Sequence, residues 1–528
     1  MSQIQNETSS ANLQWLEVYA GTTNELLPDS ARNLVRSLLR AALEDLEDLE
    51  RQIAEADSMD SLLLKRVDDT STRISRLRIA IAPHQTLPTE VLAEVFVNCI
   101  EDHSIRIPVP ASQQIHWRLG HICSRWRSVA LSETCLWNTI FFRYNPQKHT
   151  SIPPALQEAL NRSAQGPLRL IIYCPPDAIG DPDIISDLIA RYAHRCTDIQ
   201  FSFPENKMKA FLANACTSFE ALETASLAIS KEHHNDIAHP FLQGARVFES
   251  APRLRKLMLH GVWSPNNVAL TLEDVNFPWR QLTHIELFTG SVVPSTAHAL
   301  FIMCPNLQDC CFVSNVHGDG VFREMITASP SDITLPHLRH LHLGSPNPSF
   351  IFEIIRPLIL PALTGVTQHF EIDISTRKQP FAALISLIRR SRCRLTKVEI
   401  VQKFMFGDLH PHYPDDMEAL LELLPDVTTF WERGFVIPVS SLQRILAGEL
   451  LNSVRSFQCS TNSIATCALF VDIVEARWTN EGNGGAILEE AFINNYVSAA
   501  LQDDFFKEGA RLHEIQERLK MKQRKINM

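Results

Sequence analysis

The chain has 528 residues, 45% hydrophobic and 21% charged, with 30 Pro and 18 Gly, which excludes a fibrous or wholly disordered protein. Its formal net charge is −11 with 20 His taken as neutral, which argues against a nucleic-acid partner, because phosphate binding needs clustered Lys and Arg. No apolar run reaches about 18 residues, and the start MSQIQNETSS lacks the basic and apolar stretches of a secretory signal, so no membrane association is expected and a cytoplasmic or nuclear location is.

The 12 Cys show no CxxC pair, and only Cys310 and Cys311 are adjacent; this argues for free thiols in a reducing compartment and against a zinc ribbon. In chain order, residues 1–29 show little periodicity beyond Trp15, Leu16 and Tyr19 and are expected to be loosely ordered. Residues 30–82 follow with Leu34, Leu38, Leu46, Leu49, Ile53, Ile74, Leu77 and Ile81 mostly at three- and four-residue steps, predicting one or two long helices broken near Asp57. The acidic cluster Glu44, Asp45, Glu47, Asp48, Glu50, Glu55, Asp57 and Asp60 fits the solvated face of such a helix, with a partner patch as the alternative.

Residues 83–142 are the most informative segment. Pro88 suits the start of a helix and Glu90 its positive end. Val91, Leu92, Val95, Phe96 and Cys99 make one apolar stripe, and Ile115, Leu119, Ile122, Trp126, Val129 and Ala130 make a second, predicting two or three short amphipathic helices. A module this small has a marginal core and favours a partner surface. Three blocks in order, LPTEVLAEVF, LGHICSRWRSVAL and LWNTI, resemble the F-box in the form common among mushroom-forming fungi. The resemblance covers about a tenth of the chain. It implies a three-helix F-box that docks the Skp-type adaptor of a cullin-RING ubiquitin ligase. On that reading Leu87, Pro88, Val91, Leu92, Val95 and Phe96 form the docking stripe, while Trp126, Leu136 and Trp137 hold the helices together or complete the contact.

From 143 to 460 the pattern changes to an apolar-x-x-apolar-x-apolar frame, which chance supplies at roughly 9% of positions in a chain this hydrophobic. Frames stand at Leu168/Ile171/Tyr173, Cys196/Ile199/Phe201, Leu222/Ala225/Leu227, Leu254/Leu257/Leu259, Leu282/Ile285/Leu287, Leu307/Cys310/Phe312, Leu338/Leu341/Leu343 and Leu395/Val398/Ile400. First positions 168, 196, 222, 254, 282, 307 and 338 differ by 28, 26, 32, 28, 25 and 31, and weaker frames at Leu363, Val427 and Val454 continue the spacing. Pro252, Pro305, Pro336, Pro361 and Pro425 each precede a frame, and helix-like stretches such as Ala299–Met303, Ala382–Ile388 and Met417–Leu424 lie ahead of several. The predicted unit is helix, proline-marked turn, strand, and such units bury their apolar faces only by stacking. The segments APRLRKLML, LPHLRHLHL and RSRCRLTKVEI resemble irregular leucine-rich repeats, although the Asn that usually follows the strand occurs once, as Asn315. Residues 461–528 are predicted to be helical over Ile464–Arg477 and Ala486–Leu501, with a basic tail at 518–525.

The expected fold is therefore α/β: N-terminal helices and an F-box, then a leucine-rich-repeat-like solenoid closed by C-terminal helices. No GxSxG, HExxH, phosphate-loop or Rossmann glycine motif occurs and nothing points to catalysis, while the F-box resemblance implies a non-catalytic subunit without cofactors. His337, His340 and His342 on or beside one strand lack a nearby Cys or carboxylate in ligand spacing, and His410 with His412 near Asp415 and Asp416 falls in a loop-like stretch, so no metal site is expected at either. The resemblances together imply a substrate receptor whose repeats bind an unknown protein and whose F-box reaches a cullin through the adaptor. A scaffold working outside a ligase is the alternative.

Overall fold

The computed structural model describes residues 27–55, 61–82, 87–100, 104–145, 151–176, 183–213, 218–230, 246–261, 277–289, 294–314, 332–346, 348–371, 381–403, 414–461, 463–479, 485–495, 510, 511 and 513. The predicted loose start, the break near Asp57, Asn315, His410, His412 and the basic tail lie outside them. Among the described residues the fold is mixed α/β, with fourteen α-helices, a large parallel sheet and no closed barrel. The chain divides into two compact units, Met1–Arg143 with Ser151–Ile171, and Tyr144–Thr150 with Ile172–Met528. Residues 151–171, read from sequence as the start of the repeats, cluster with the first unit.

In the first unit, α1 (Asp29–Glu55) and α2 (Ser61–Ala80) pack against each other through Val35, Ala42, Ile74 and Leu77, flanked by Leu34, Leu38 and Leu46. These residues recur every three, four or seven positions, so the charged residues between them stay in water. Next come α3 (Thr89–Asn98), β1 (Ile105–Ile107), α4 (Ile115–Ile122), α5 (Ser124–Ser132), β2 (Thr139–Arg143) and α6 (Pro154–Arg162). Helix α3 begins as the sequence predicts: the Leu92 amide donates to the Pro88 carbonyl at 3.0 Å. The module is not helices alone. Strand β1 pairs in parallel with β2, Ile105 opposite Ile140 and Ile107 opposite Phe142. Gln114 pins the following loop, accepting from the Arg106 amide at 2.8 Å and donating to the Arg106 and Val109 carbonyls, both at 2.9 Å. The chain then runs into β3 (Leu168–Tyr173).

The second unit contains α7 (Asp183–Tyr192), β4 (Cys196–Phe203), α8 (Glu205–Ala213), β5 (Thr224–Ile229), β6 (Lys256–His260), β7 (His284–Thr289), α9 (Pro294–Met303), β8 (Asp309–Ser314), β9 (Ile333–Thr334) and β10 (His340–Ser345). It continues with α10 (Pro348–Ile355), β11 (Leu358–Ile359), β12 (Gly365–Glu371), α11 (Ala382–Ser391), β13 (Lys397–Lys403), α12 (Pro414–Glu422), β14 (Thr429–Val436), α13 (Val439–Leu446), β15 (Ser456–Thr461), α14 (Ile464–Thr479) and β16 (Glu490–Asn495). Strands β4 to β16 pair in parallel in chain order, except that β9 and β11 pair with each other. Three of the predicted helical stretches are α9, α11 and α12.

The frames set the register. Ala225, Leu257, Ile285, Cys310, Leu341, Val366, Val398, Phe430, Phe457 and Ala491 form one buried cross-strand row. Each large aliphatic member contributes about 1.5–3 kcal/mol by leaving water. Just before each strand, one amide reaches back to the residue before the preceding strand: Arg255 to Glu223 at 2.9 Å, Thr283 to Arg255 at 2.9 Å, Gln308 to Thr283 at 2.8 Å, and so on to Glu489 to Arg455 at 2.6 Å. The next inward row runs Leu227, Leu259, Leu287, Phe312, Leu343, Gln368, Ile400, Glu432. The frames at Leu363 and Val427 are weak in sequence because their third positions are Gln368 and Glu432, which are buried all the same. Glu432 accepts from the Ser460 amide at 2.7 Å and from the Phe435 amide, and burial pushes its carboxyl up to about 8 against these bonds.

One expectation is corrected. Ala486–Leu501 is not a helix where described: Glu490–Asn495 is a strand paired in parallel with β15. Leu488 and Ala491 are its buried frame positions, and the small Ala491 weakens the period-two signal that would have revealed it.

Candidate partner-binding surfaces

The first candidate surface lies on the helical module of the first unit. Leu92 and Phe96 face inward and are buried, with the Phe96 ring 4.8 Å from that of Trp126. They belong to the core of the module, so the exposed part of the predicted stripe is Pro88, Val91 (44% exposed) and Val95 (39%), with Leu87 half-buried. Pro88, Val91 and Val95 follow one another at helical steps and share a face of α3. Ile122 (55% exposed), Ile115 and Leu131 are exposed large aliphatics on α4 and α5.

What holds this module together is aromatic. Leu136 and Trp137 are buried on a short 3₁₀ turn, and Trp137 Nε1 donates to the Ala130 carbonyl at 2.7 Å. Trp117 meets Trp137 edge-on at 5.1 Å, and the Arg162 guanidinium lies 4.4 Å from the Trp117 ring centroid and 4.5 Å from that of Trp137. Trp126 is half-buried; its amide donates to Cys123 Sγ at 3.3 Å, which caps α5. Arg125 donates to the Leu87 carbonyl and ties the start of α3 to α5. Arg162, whose position 25 residues beyond Trp137 carries no motif, escapes the sequence reading.

The second candidate surface is the outward row of the parallel strands. Asp309 bridges two neighbouring strands: Oδ2 accepts from His284 Nε2 at 2.8 Å, and Oδ1 pairs with His340 Nδ1. Thr283 Oγ1 lies 2.8 Å from His284 Nδ1 and fixes that ring from the other side. Burial lowers the His284 imidazole, with Asp309 opposing the shift. Gly365 makes room for His340, since a Cβ there would come within 2.7 Å of the ring. A recess of about 250 Å³ opens here, lined by His284, Asp309, His340, His342, Thr367 and Lys397 among others.

His342 faces this recess but does not join the Asp309 pair. Its ring meets His369 edge-on at 4.8 Å, and burial first, then the His369 charge, push it down to about 4. His337 lines a different cleft. His337 is thus apart from His340 and His342, which share the recess, and among the described residues no cluster of three or more His, Cys, Asp or Glu is arranged to hold a metal ion. Cys311, in the same recess, is pushed up to about 12 by burial, so its thiol stays protonated at neutral pH and is a poor nucleophile. Thr367 donates to Glu399 at 3.0 Å, and Lys397 reaches Glu399 at 2.9 Å and lies over Trp431 at 5.9 Å. This face thus combines imidazoles, a paired lysine and a half-buried indole.

No protein-family model and no curated protein matches the chain. Among solved structures it is similar to a protein from Bacteroides fragilis, at 12% identity and a TM-score of 0.30, covering 62% of this chain and 80% of that one. No helix among the described residues is long and apolar enough to cross a membrane.

Proposed function

We propose that this protein is a non-catalytic substrate receptor of a Skp–cullin–F-box ubiquitin ligase. Residues 83–142 act as the F-box toward a Skp-type adaptor, and the repeated strands act as a leucine-rich-repeat-like solenoid that presents a substrate protein. The observation that carries the reading is the exposure of Val91 and Val95 on the helix bearing the LPTEVLAEVF block, since apolar side chains left uncovered on a small module favour a partner. Leu92 and Phe96 support the module from within, and Pro88, Val91 and Val95 make the contact. Ile122 and Leu131, within the LGHICSRWRSVAL block, are exposed apolar side chains as well. Catalysis belongs to other subunits on this reading.

The test is direct binding of the purified chain to a Skp-type adaptor. Val91→Asp with Val95→Asp is expected to weaken binding at least about thirtyfold, because central interface anchors each cost about 2 kcal/mol or more when lost. Both positions are exposed, so the fold should survive, as circular dichroism would show. Unchanged affinity in the folded double variant would remove the docking surface from α3. Co-purification of a cullin with the adaptor distinguishes the ligase from a scaffold that binds the adaptor alone.

A further inference from the structure

The rim formed by the residues just before β6, β7, β8 and β10 carries an unneutralised basic cleft. Its opening has a volume of about 470 Å³ and is lined by Arg255, Arg280, Gln281, Thr283, Asn306, Gln308 and His337, without a carboxylate among them. Among the described residues the Arg255 guanidinium has only a carbonyl partner, donating to Gln281 O at 3.2 Å. Arg280 makes no side-chain hydrogen bond or ion pair to a described residue; only its carbonyl is engaged, by Asn306 Nδ2 at 2.8 Å. Backbone bonds fix the floor, Gln308 N to Thr283 O at 2.8 Å and Arg339 N to Gln308 O at 2.7 Å. Asp309, next along the chain from Gln308, is already held by His284 and His340.

Further along the same rim the cations are paired: Arg394 with Asp426 at 3.8 Å and Arg455 with Glu489 at 3.1 Å. The basic stretch is therefore a local feature of the rim at four interior strands of the sheet, in a chain whose net charge is −11. We propose that this cleft binds an anionic side chain, carboxylate or phosphoryl, displayed on an acidic segment of a protein partner, with Arg255 and Arg280 as its charge contacts. Planar guanidinium forks suit both oxyanions, and Asn306 and Gln308 add amide groups beside them. A protein segment fits better than nucleic acid: the overall negative charge repels a long polyanion, while a short anionic stretch meets only the local field. The inference deepens the reading of the repeated strands as the partner-binding body and rests on it for the partner being a protein.

The experiment uses the full chain and fluorescent peptides read by anisotropy: a run of about eight glutamates, the same peptide with phosphoserines replacing two of them, and a matched glutamine peptide, each at about 50 and 200 mM salt. Binding of either acidic peptide, weaker at the higher salt and absent for the glutamine peptide, is expected; comparing the two acidic arms identifies the preferred oxyanion. Arg255→Glu with Arg280→Glu should weaken binding at least about tenfold, and Arg455→Glu should leave it within about twofold. All three positions are exposed, so thermal melting should be unchanged. The inference is overturned if neither acidic peptide binds, if the folded double reversal binds as well as the original, if Arg455→Glu is as damaging, or if a short DNA duplex binds more tightly than the peptides. Adaptor binding by the same samples separates the two readings, since peptide binding can fail while adaptor binding persists, and the reverse.

Discussion

Strands β5 to β10 and strands β12 to β15 share one backbone register, yet they bury and display different chemistry. The first group fills its second inward row with Leu227, Leu259, Leu287, Phe312 and Leu343, and no carboxylate lines the cleft at its rim arginines Arg255 and Arg280. The second group buries Gln368, Gln402 and Glu432 and pairs its rim charges. Both amide atoms of Gln368 and of Gln402 lack a hydrogen-bond partner among the described residues. The lesson is that the main-chain ladder sets the strand order, while the side chains of each row are free to serve stability in one region and polarity in another. Stability and display are thus separable along this sheet.

The largest test of that separation is in the apolar row. Leu257→Ala and Leu341→Ala should each cost about 2–5 kcal/mol in denaturant unfolding, because both side chains are wholly buried between neighbouring strands. A cost near zero at either position would break the shared register. In the polar group the sign should reverse: Gln368→Leu restores an apolar row between Leu343 and Ile400 and should raise stability by about 1–3 kcal/mol, the penalty of an unmet buried amide. A destabilised Gln368→Leu variant would mean that the amide has a partner that matters.

Two smaller effects concern pH. The Glu432 carboxyl is raised to about 8 in the folded chain from an ordinary value near 4.5, so the folded state holds the proton more tightly. Its contribution is full below about pH 4.5 and is lost as pH rises toward 8, at no more than about 1.4 kcal/mol per pH unit; Glu432→Gln should flatten that part of the stability profile. His342 acts in the opposite sense, since its folded value near 4 lies below the ordinary 6.5. Stability from a neutral His342 is present above about pH 6.5 and declines as pH falls toward 4, and His342→Gln should remove that decline. The smallest effect is expected at Asp309→Asn. Its partly exposed pairs with His284 and His340 are worth about 0.2–1 kcal/mol, best seen as a shift in the His284 titration by NMR.

Much of the parallel sheet is legible in the sequence, because frames such as Leu254/Leu257/Leu259 and Leu338/Leu341/Leu343 place three large apolar residues in phase. Legibility fails where that signal is diluted. Gln368 and Glu432 put polar atoms at a buried position, Ala491 supplies too small a side chain, and β1 offers only Ile105 and Ile107. In the helical module, periodicity shows that Val91, Leu92, Val95 and Phe96 are apolar at helical spacing, but not which of them the module itself covers. Burial of Leu92 and Phe96 depends on the Phe96–Trp126 contact across 30 residues of chain. The Asp309 bridge is invisible to motif reading for a related reason: His284 and His340 stand 25 and 31 residues from it, at intervals that vary from one repeat to the next.

The amide steps that join the start of each strand to the start of the one before it, from Arg255 to Glu223 through Glu489 to Arg455, involve only main-chain atoms. Any residue except proline can occupy those positions without breaking the step, and the returning segments between strands can lengthen or shorten outside it. Such an arrangement favours change by insertion. A descendant or a designer can graft a longer return between two strands, or exchange the outward residues of one repeat, and leave its neighbours in place.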